Sequence, residues 1–200
     1  MPVSLGHRRA AANGGFRRAR AREGPAIASA PPIAVRRAGT GDAEALAALS
    51  AETFAETFGH LYPLEDLAFY LAEAHNAALY AGWARDDRFA LWIVEQGGRA
   101  VGYALAGPCH LPHPEVTAAC GELWRLYLRR EAQGSGLGGR LLTLALDWLR
   151  APGRRLWIGV WSENFGAQRL YARYGFAKVG AYEFSVGGTR DLEFILARPG

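Results

Sequence analysis

Cysteine is scarce: Cys109 and Cys120 are the only two in 200 residues. Two thiols make no disulfide framework, so a reducing cytoplasm is the expected location and both are expected to stay free. No apolar run approaches the roughly eighteen residues of a membrane helix. The Arg8-Arg9 pair is not followed by the apolar core of an export signal, so neither a membrane partner nor export is expected. No internal repeat is visible. Acidic residues are nearly missing from the start of the chain: residues 1–37 hold eight arginines against Glu23 alone, a net +7 that leaves −3 for the rest of a chain of net +4. A mildly acidic body argues against a nucleic-acid face and suits a cationic substrate.

Half of the residues are apolar, enough for one α/β domain with a full core. Residues 1–32 read as a disordered basic arm. An Arg-rich leader also resembles an organellar transit peptide, but Gly14–Gly15, Pro25 and Pro31–Pro32 favour a tail. The domain is expected over 33–200. "IAVRRA" reads as a strand. Leu46, Leu49, Phe54 and Phe58 then recur at helical spacing, and a second helix follows Pro63 with Leu64, Leu67, Leu71 and Ala74 on one face, ending before Gly82. Two apolar runs joined by Gln96-Gly97-Gly98 make a hairpin. A Pro- and His-rich loop at 108–118 precedes the strand "GELWRLYL"; its Cys109, His110 and His113 lack the further ligands a zinc site needs, so no metal is expected. A helix over 136–150, a strand "RRLWIGVW", a helix from Asn164 to Tyr174 and two strands around Gly187–Gly188 complete the chain.

The strand ending at Leu128 runs through five polar residues into Gly134-Ser135-Gly136-Leu137-Gly138-Gly139 and then straight into an amphipathic helix. Such glycines let backbone N–H groups converge at a helix N-terminus, an arrangement suited to a pyrophosphate. A Walker loop would need Gly-Lys-Ser/Thr where Gly139-Arg140-Leu141 stands. Gly134, Gly136 and Gly139 match G-x-G-x-x-G, and Glu163 lies at the distance of a ribose contact. A dinucleotide site, however, has its strand enter the first glycine almost directly and has further β-α units behind it. An NAD(P)-dependent oxidoreductase and a glycine turn that serves packing alone stay open on these residues.

Gln133-Gly134-Ser135-Gly136-Leu137-Gly138 resembles the Q/R-x-x-G-x-G/A signature of the GNAT acetyltransferases. About thirty residues on, Asn164, Ala167, Tyr171, Gly175 and Phe176 resemble that superfamily's N-x-x-A-x-x-x-Y-x-x-x-G-F segment. The resemblance covers nearly everything but the arm. It implies a mixed, mostly antiparallel sheet of about seven strands flanked by about four helices, and acetyl-CoA as cosubstrate of a direct transfer to a primary amine in a ternary complex. By the same likeness Leu126, Tyr127 and Leu128 present backbone to the pantetheine, with the Leu128 N–H facing the developing oxyanion. Gln133 through Gly139 take the pyrophosphate, Asn164 bonds the pantetheine arm, and Tyr171 protonates the leaving thiolate. A homodimer is compatible with it.

Glu122 opens the strand before the loop and by period-two alternation shares a face with Trp124, Leu126 and Leu128; it is the first candidate for general base. The glutamate that some relatives carry five residues before the asparagine is replaced by Gly159. "TFAETF" at 53–58 resembles PaiA-type spermidine/spermine N-acetyltransferases, which makes Glu52, Glu56, Phe58 and Tyr62 candidate contacts to a polyamine, carboxylates and aromatic faces suiting a flexible cation. Protein N-termini or lysines as acceptors, and an acetyl-CoA-binding module without turnover, are the competing readings.

Overall fold

The computed structural model describes residues 31–199; the arm expected at 1–32 lies outside them except for its last two positions. Strand β1 (Ile33–Arg37) is followed by α1 (Ala43–Phe58), α2 (Leu64–Ala74) and α3 (Ala77–Arg85). The hairpin β2 (Ala90–Gln96) and β3 (Arg99–Pro108) comes next, then β4 (Gly121–Leu128), α4 (Leu137–Leu149), β5 (Leu156–Trp161), α5 (Phe165–Arg173), β6 (Ala177–Val186) and β7 (Thr189–Arg198). The seven strands form one sheet in the order β1-β2-β3-β4-β5-β7-β6. β4 and β5 run parallel; the other neighbouring pairs are antiparallel.

Both faces of the sheet are covered, which is why β2 and β3 read as nearly continuous apolar runs. On one face Leu141, Leu142, Ala145 and Leu149 of α4 pack on Ala104, Ala106, Leu123 and Ile158. On the other, Leu46 and Leu49 of α1 and Tyr80 of α3 pack on Leu91, Ile93, Tyr103 and Leu105. Leu141 is fully buried, so trimming it to alanine would cost about 2–5 kcal/mol.

The stretch expected to be one helix from Pro63 to before Gly82 is two. α2 stops at Ala74, and the Asn76 side chain accepts the Leu79 N–H at 3.0 Å, capping a new helix that carries Gly82 in its interior. The apolar period from Leu64 to Ala74 ends where α2 ends, and the Asn76 cap starts a separate helix. At the junction His75 turns inward, its Nδ1 2.9 Å from the Ser50 hydroxyl.

A second departure decides the site. In the β3–β4 ladder Leu105 faces Arg125 and Ala106 faces Leu123, so Trp124 is an unpaired extra residue. This β-bulge reverses the alternation beyond it. Glu122 therefore shares a face with Arg125 and Tyr127, while Leu126 and Leu128 join Leu123 on the opposite side. The expectation that Glu122, Leu126 and Leu128 point the same way is corrected.

Candidate active site

The β4–β5 ladder pairs only Gly121, Glu122 and Leu123 with Leu156, Trp157 and Ile158. Beyond the bulge both strands continue without pairing to each other, and the sheet opens into a fork whose apex is Leu123 and Ile158. A cavity of about 780 Å³ lies there and is lined from both faces, by Leu128, Gly138 and Leu170 on the α4 side and by Phe54, Tyr62 and Tyr70 on the α1–α2 side.

At one end stands the glycine loop. Gly134 and Gly136 have φ of 73° and 84°, the left-handed region that disfavours any residue with a Cβ. Gly136 is the N-cap of α4 and has no side chain to accept the first-turn N–H groups, which leaves those donors and the positive end of the helix dipole free for an anion. The loop is braced from behind: the Gln133 amide donates to the Leu128 carbonyl at 3.1 Å, and the Ser135 hydroxyl to the Ala132 carbonyl at 2.6 Å. Gln133, Gly134, Gly136, Gly138 and Gly139 line the cavity. Ser135 does not, and the Leu137 side chain is buried in the core, so neither side chain reaches a ligand there.

Along the middle run β4 and α5. Leu126, Tyr127 and Leu128 all line the cavity. Asn164 also does, but its Oδ1 is occupied capping α5 through the Ala167 N–H at 3.0 Å. Its amide N–H₂ and the second lone pair of Oδ1 are left to face a ligand. Tyr171 is buried at the cavity wall, and burial, reinforced by Glu193, raises its phenol well above the usual tyrosine range.

The far end is aromatic and acidic. Phe54 packs against Phe58, Tyr62 and Tyr70, and the Tyr62 hydroxyl donates to Asp191. Phe58 and Tyr62 line the cavity; Glu52 and Glu56 do not. Glu52 is paired with the buried guanidinium of Arg129, and Glu56 is exposed on the outer face of α1. Helical spacing put these acids near the two aromatic rings in sequence but on another side of the helix. The carboxylates that do line this end are Glu122, Asp191 and Glu193. Glu122 is only 2% exposed, and its Oε2 accepts the His110 backbone N–H and lies 2.9 Å from His110 Nδ1. That hydrogen bond raises the His110 pKa despite the opposing effect of burial.

Residues not anticipated are Asp191 and Glu193 of β7, His75, and His110, which reads from sequence as a solvated loop histidine. Burial and the neighbouring Arg125 lower His75 to about 3. Burial, and then Asp191, raise Glu193 to about 7. Asp191 and Glu193 carried a weak signal, two acids at alternate positions in the polar first half of a strand whose second half is apolar.

Residues 51–176 match the model of the acetyltransferase (GNAT) family. An uncharacterized N-acetyltransferase of Lactobacillus delbrueckii subsp. lactis is 30% identical over 155 residues, 76% of this chain and 88% of that one. A protein of Bacillus subtilis subsp. natto named "Probable spermine N(1)-acetyltransferase" is 29% identical over 92 residues, 44% of this chain and 59% of its own length. Among solved structures, the PaiA N-acetyltransferase of Thermoplasma acidophilum in complex with coenzyme A superposes with a TM-score of 0.64 at 18% identity, over 84% of this chain and 99% of that one.

Proposed function

This chain belongs to the GNAT acetyltransferase family and is an N-acetyltransferase, and from that premise we propose that it moves the acetyl group of acetyl-CoA to a primary amine of a small polycation, with spermidine as the model acceptor. The observation that carries the reading is a continuous cavity through the β4–β5 fork, with free helix N–H groups at one end and carboxylates among aromatic rings at the other. A nucleotide pyrophosphate suits the first end. A flexible cation suits the second through charge and cation–π attraction. The name of the Bacillus relative points the same way.

In this reading the loop from Gln133 to Gly139 holds the pyrophosphate by backbone N–H groups, and the edges of Leu126–Leu128 and the Asn164 amide align the pantetheine. The Leu128 N–H is the proposed donor to the oxyanion that forms when the amine adds to the thioester carbonyl. Acetyl-CoA supplies the activated acyl group. Tyr171, held protonated by its burial, gives its proton to the departing sulfur. Glu122 lines the acceptor end but is already bonded to His110, so its proposed part is to hold the 108–118 loop that walls the cavity.

An acceptor screen tests the reading. Free thiol released from acetyl-CoA is followed with spermidine, spermine, small monoamines and N-terminal peptides in turn. Release with spermidine or spermine, and kcat/KM above that for monoamines, is expected. Turnover confined to peptides would move the assignment to protein termini. Acetyl-CoA binding with no turnover on any amine would leave a binding module.

A further inference from the structure

We propose that Glu193 is the catalytic residue that takes the proton of the acceptor ammonium, reaching the fork from β7 through the space left by Gly159. This assignment rests on the acetyl-transfer reading above.

Gly159 is the first residue of β5 beyond the last β4–β5 pair, so it stands just inside the fork, next to its apex. On its other edge β5 pairs with β7, Gly159 facing Ile195 and Trp161 facing Glu193. By the period of two, Glu193 and Gly159 present the same face, one step apart along the strands. The Glu193 side chain lies over the glycine: a Cβ there would sit 3.5 Å from Glu193 Oε2 and 3.3 Å from the Tyr182 hydroxyl. A Cβ at 159 would already touch the carboxylate and crowd the Tyr182 hydroxyl, so a side chain larger than alanine would compete for the space the carboxylate uses, and a glycine in the middle of a strand otherwise weakens it.

The surroundings suit a base. Glu193 is half-buried against the cavity, and among the described residues no cation pairs with it. The groups around it are Asp191 on its own strand, Tyr182 of β6, Tyr171 of α5, Tyr127 of β4, and Tyr62 and Tyr70 of the α1–α2 region. These are neutral phenols and one like charge. The guanidinium of Arg125, which also lines the cavity, is spent on the Tyr80 hydroxyl at 2.7 Å and the Ala74 carbonyl at 2.9 Å. An unpaired carboxylate beside another is costly to packing and gives nothing back unless a cation enters. An ammonium acceptor is such a cation. Glu122 is a poorer candidate, since the oxygen nearest the loop already accepts two hydrogen bonds from His110.

The step balances as follows. The carboxylate takes one proton from R–NH₃⁺, directly or through one water. The freed nitrogen forms the C–N bond to the thioester carbonyl carbon, and the C–S bond breaks as the intermediate collapses. Sulfur takes a proton from Tyr171, and the second proton lost by nitrogen restores that phenol. Glu193 returns its own proton to solvent.

The test compares kcat for spermidine against pH in wild type, Glu193→Gln, Glu193→Asp and Glu122→Gln. Wild-type kcat should rise through about pH 7, where the carboxylate loses its proton. Glu193→Gln should lower kcat about 10²- to 10³-fold, abolish that rise and leave acetyl-CoA affinity unchanged, which also shows that the variant is folded. Glu193→Asp should keep the rise at reduced kcat, and Glu122→Gln should keep it as well. Wild-type kcat in Glu193→Gln, or a raised acceptor KM as its sole defect, would overturn the assignment and make the residue an anchor. A wild type silent with every amine would instead overturn acetyl transfer, and this assignment with it.

Discussion

Glu122 and His110 form a closed pair in which one carboxylate oxygen, Oε2, lies 2.9 Å from both the His110 backbone nitrogen and its Nδ1. The His110 ring also packs on Trp124, centroids 4.1 Å apart. The loop between β3 and β4 is thus fastened to the strand at the point where the bulge begins, and one wall of the cavity depends on that fastening.

The pair should be pH-dependent. Hydrogen bonding to Glu122 raises the His110 pKa, so the stabilisation is complete below the unfolded histidine value of about 6.5 and is lost as pH rises through the folded value. His110 is well exposed to solvent, which screens the pair to about 1 kcal/mol or less. Glu122→Gln should therefore lower the melting temperature more at pH 5.5 than at pH 8.5. An equal loss at both would show that the two neutral-compatible hydrogen bonds, not the charge, hold the loop.

Gly136→Ala tests the loop. No atom lies within 4 Å of a Cβ built there, so the substitution meets open space and only the backbone at φ 84° resists it. The expected cost is about 1 kcal/mol. Separately from that cost to folding, the disturbed N–H groups at the start of α4 should raise acetyl-CoA KM about tenfold, equivalent to about 1.4 kcal/mol, while kcat changes little. Unchanged KM in steady-state assays would remove the loop from pyrophosphate binding.

Glu52→Ala separates the acceptor role read from sequence from the structural role seen here. It strips the buried Arg129 of its ion pair and leaves that guanidinium with the Ala100 carbonyl, 3.0 Å from Nε. Because Glu52 is itself 43% exposed in its side chain, the loss should be about 1–2 kcal/mol rather than that of a fully buried pair. Denaturant unfolding should register it, with spermidine KM unaltered. A raised KM at unchanged stability would restore Glu52 to the acceptor site.

The glycine loop and α5 were legible because their chemistry is local: Gln133 to Gly139 and Asn164 to Phe176 announce themselves by spacing within one turn and one helix. The bulge at Trp124 was not, since a one-residue slip leaves an ordinary strand aromatic in the text and yet turns Glu122 to the other face. The cap at Asn76 had its signal, an asparagine two residues past the end of the Leu64–Ala74 period, where a separate helix can begin. Glu193 was hidden for a non-local reason. β7 inserts between β5 and β6, and only that insertion brings a C-terminal carboxylate over Gly159.

Tyr171→Phe removes a hydroxyl from the cavity wall while keeping the ring that packs edge-on to Phe176, centroids 6.4 Å apart. If the phenol serves the leaving thiolate, kcat falls about 10²-fold with acetyl-CoA affinity intact, and the loss is smaller for acyl donors whose thiols are more acidic. Loss of affinity at full kcat would make the hydroxyl a binding group.

His75 supplies a stability test independent of turnover. Its imidazole is 5% exposed, its Nε2 has no hydrogen-bond partner among the described residues, and Arg125 lies beside it. The folded value of about 3 lies below the unfolded 6.5, so the unfolded chain binds the extra proton. The contribution is therefore complete above about pH 6.5 and is lost as pH falls toward 3, with a slope of up to ~1.4 kcal/mol per pH unit. Glu193 acts oppositely: its value is raised to about 7, so its contribution is present at low pH and is lost as pH rises through 7. The two opposing slopes overlap between about pH 4.5 and 6.5, which flattens the wild-type profile there. His75→Asn removes one of them. The stability of wild type relative to this variant should therefore shrink steadily from pH 6.5 to 4.5 in denaturant titrations, and a constant difference would mean that His75 takes up its proton in the folded state.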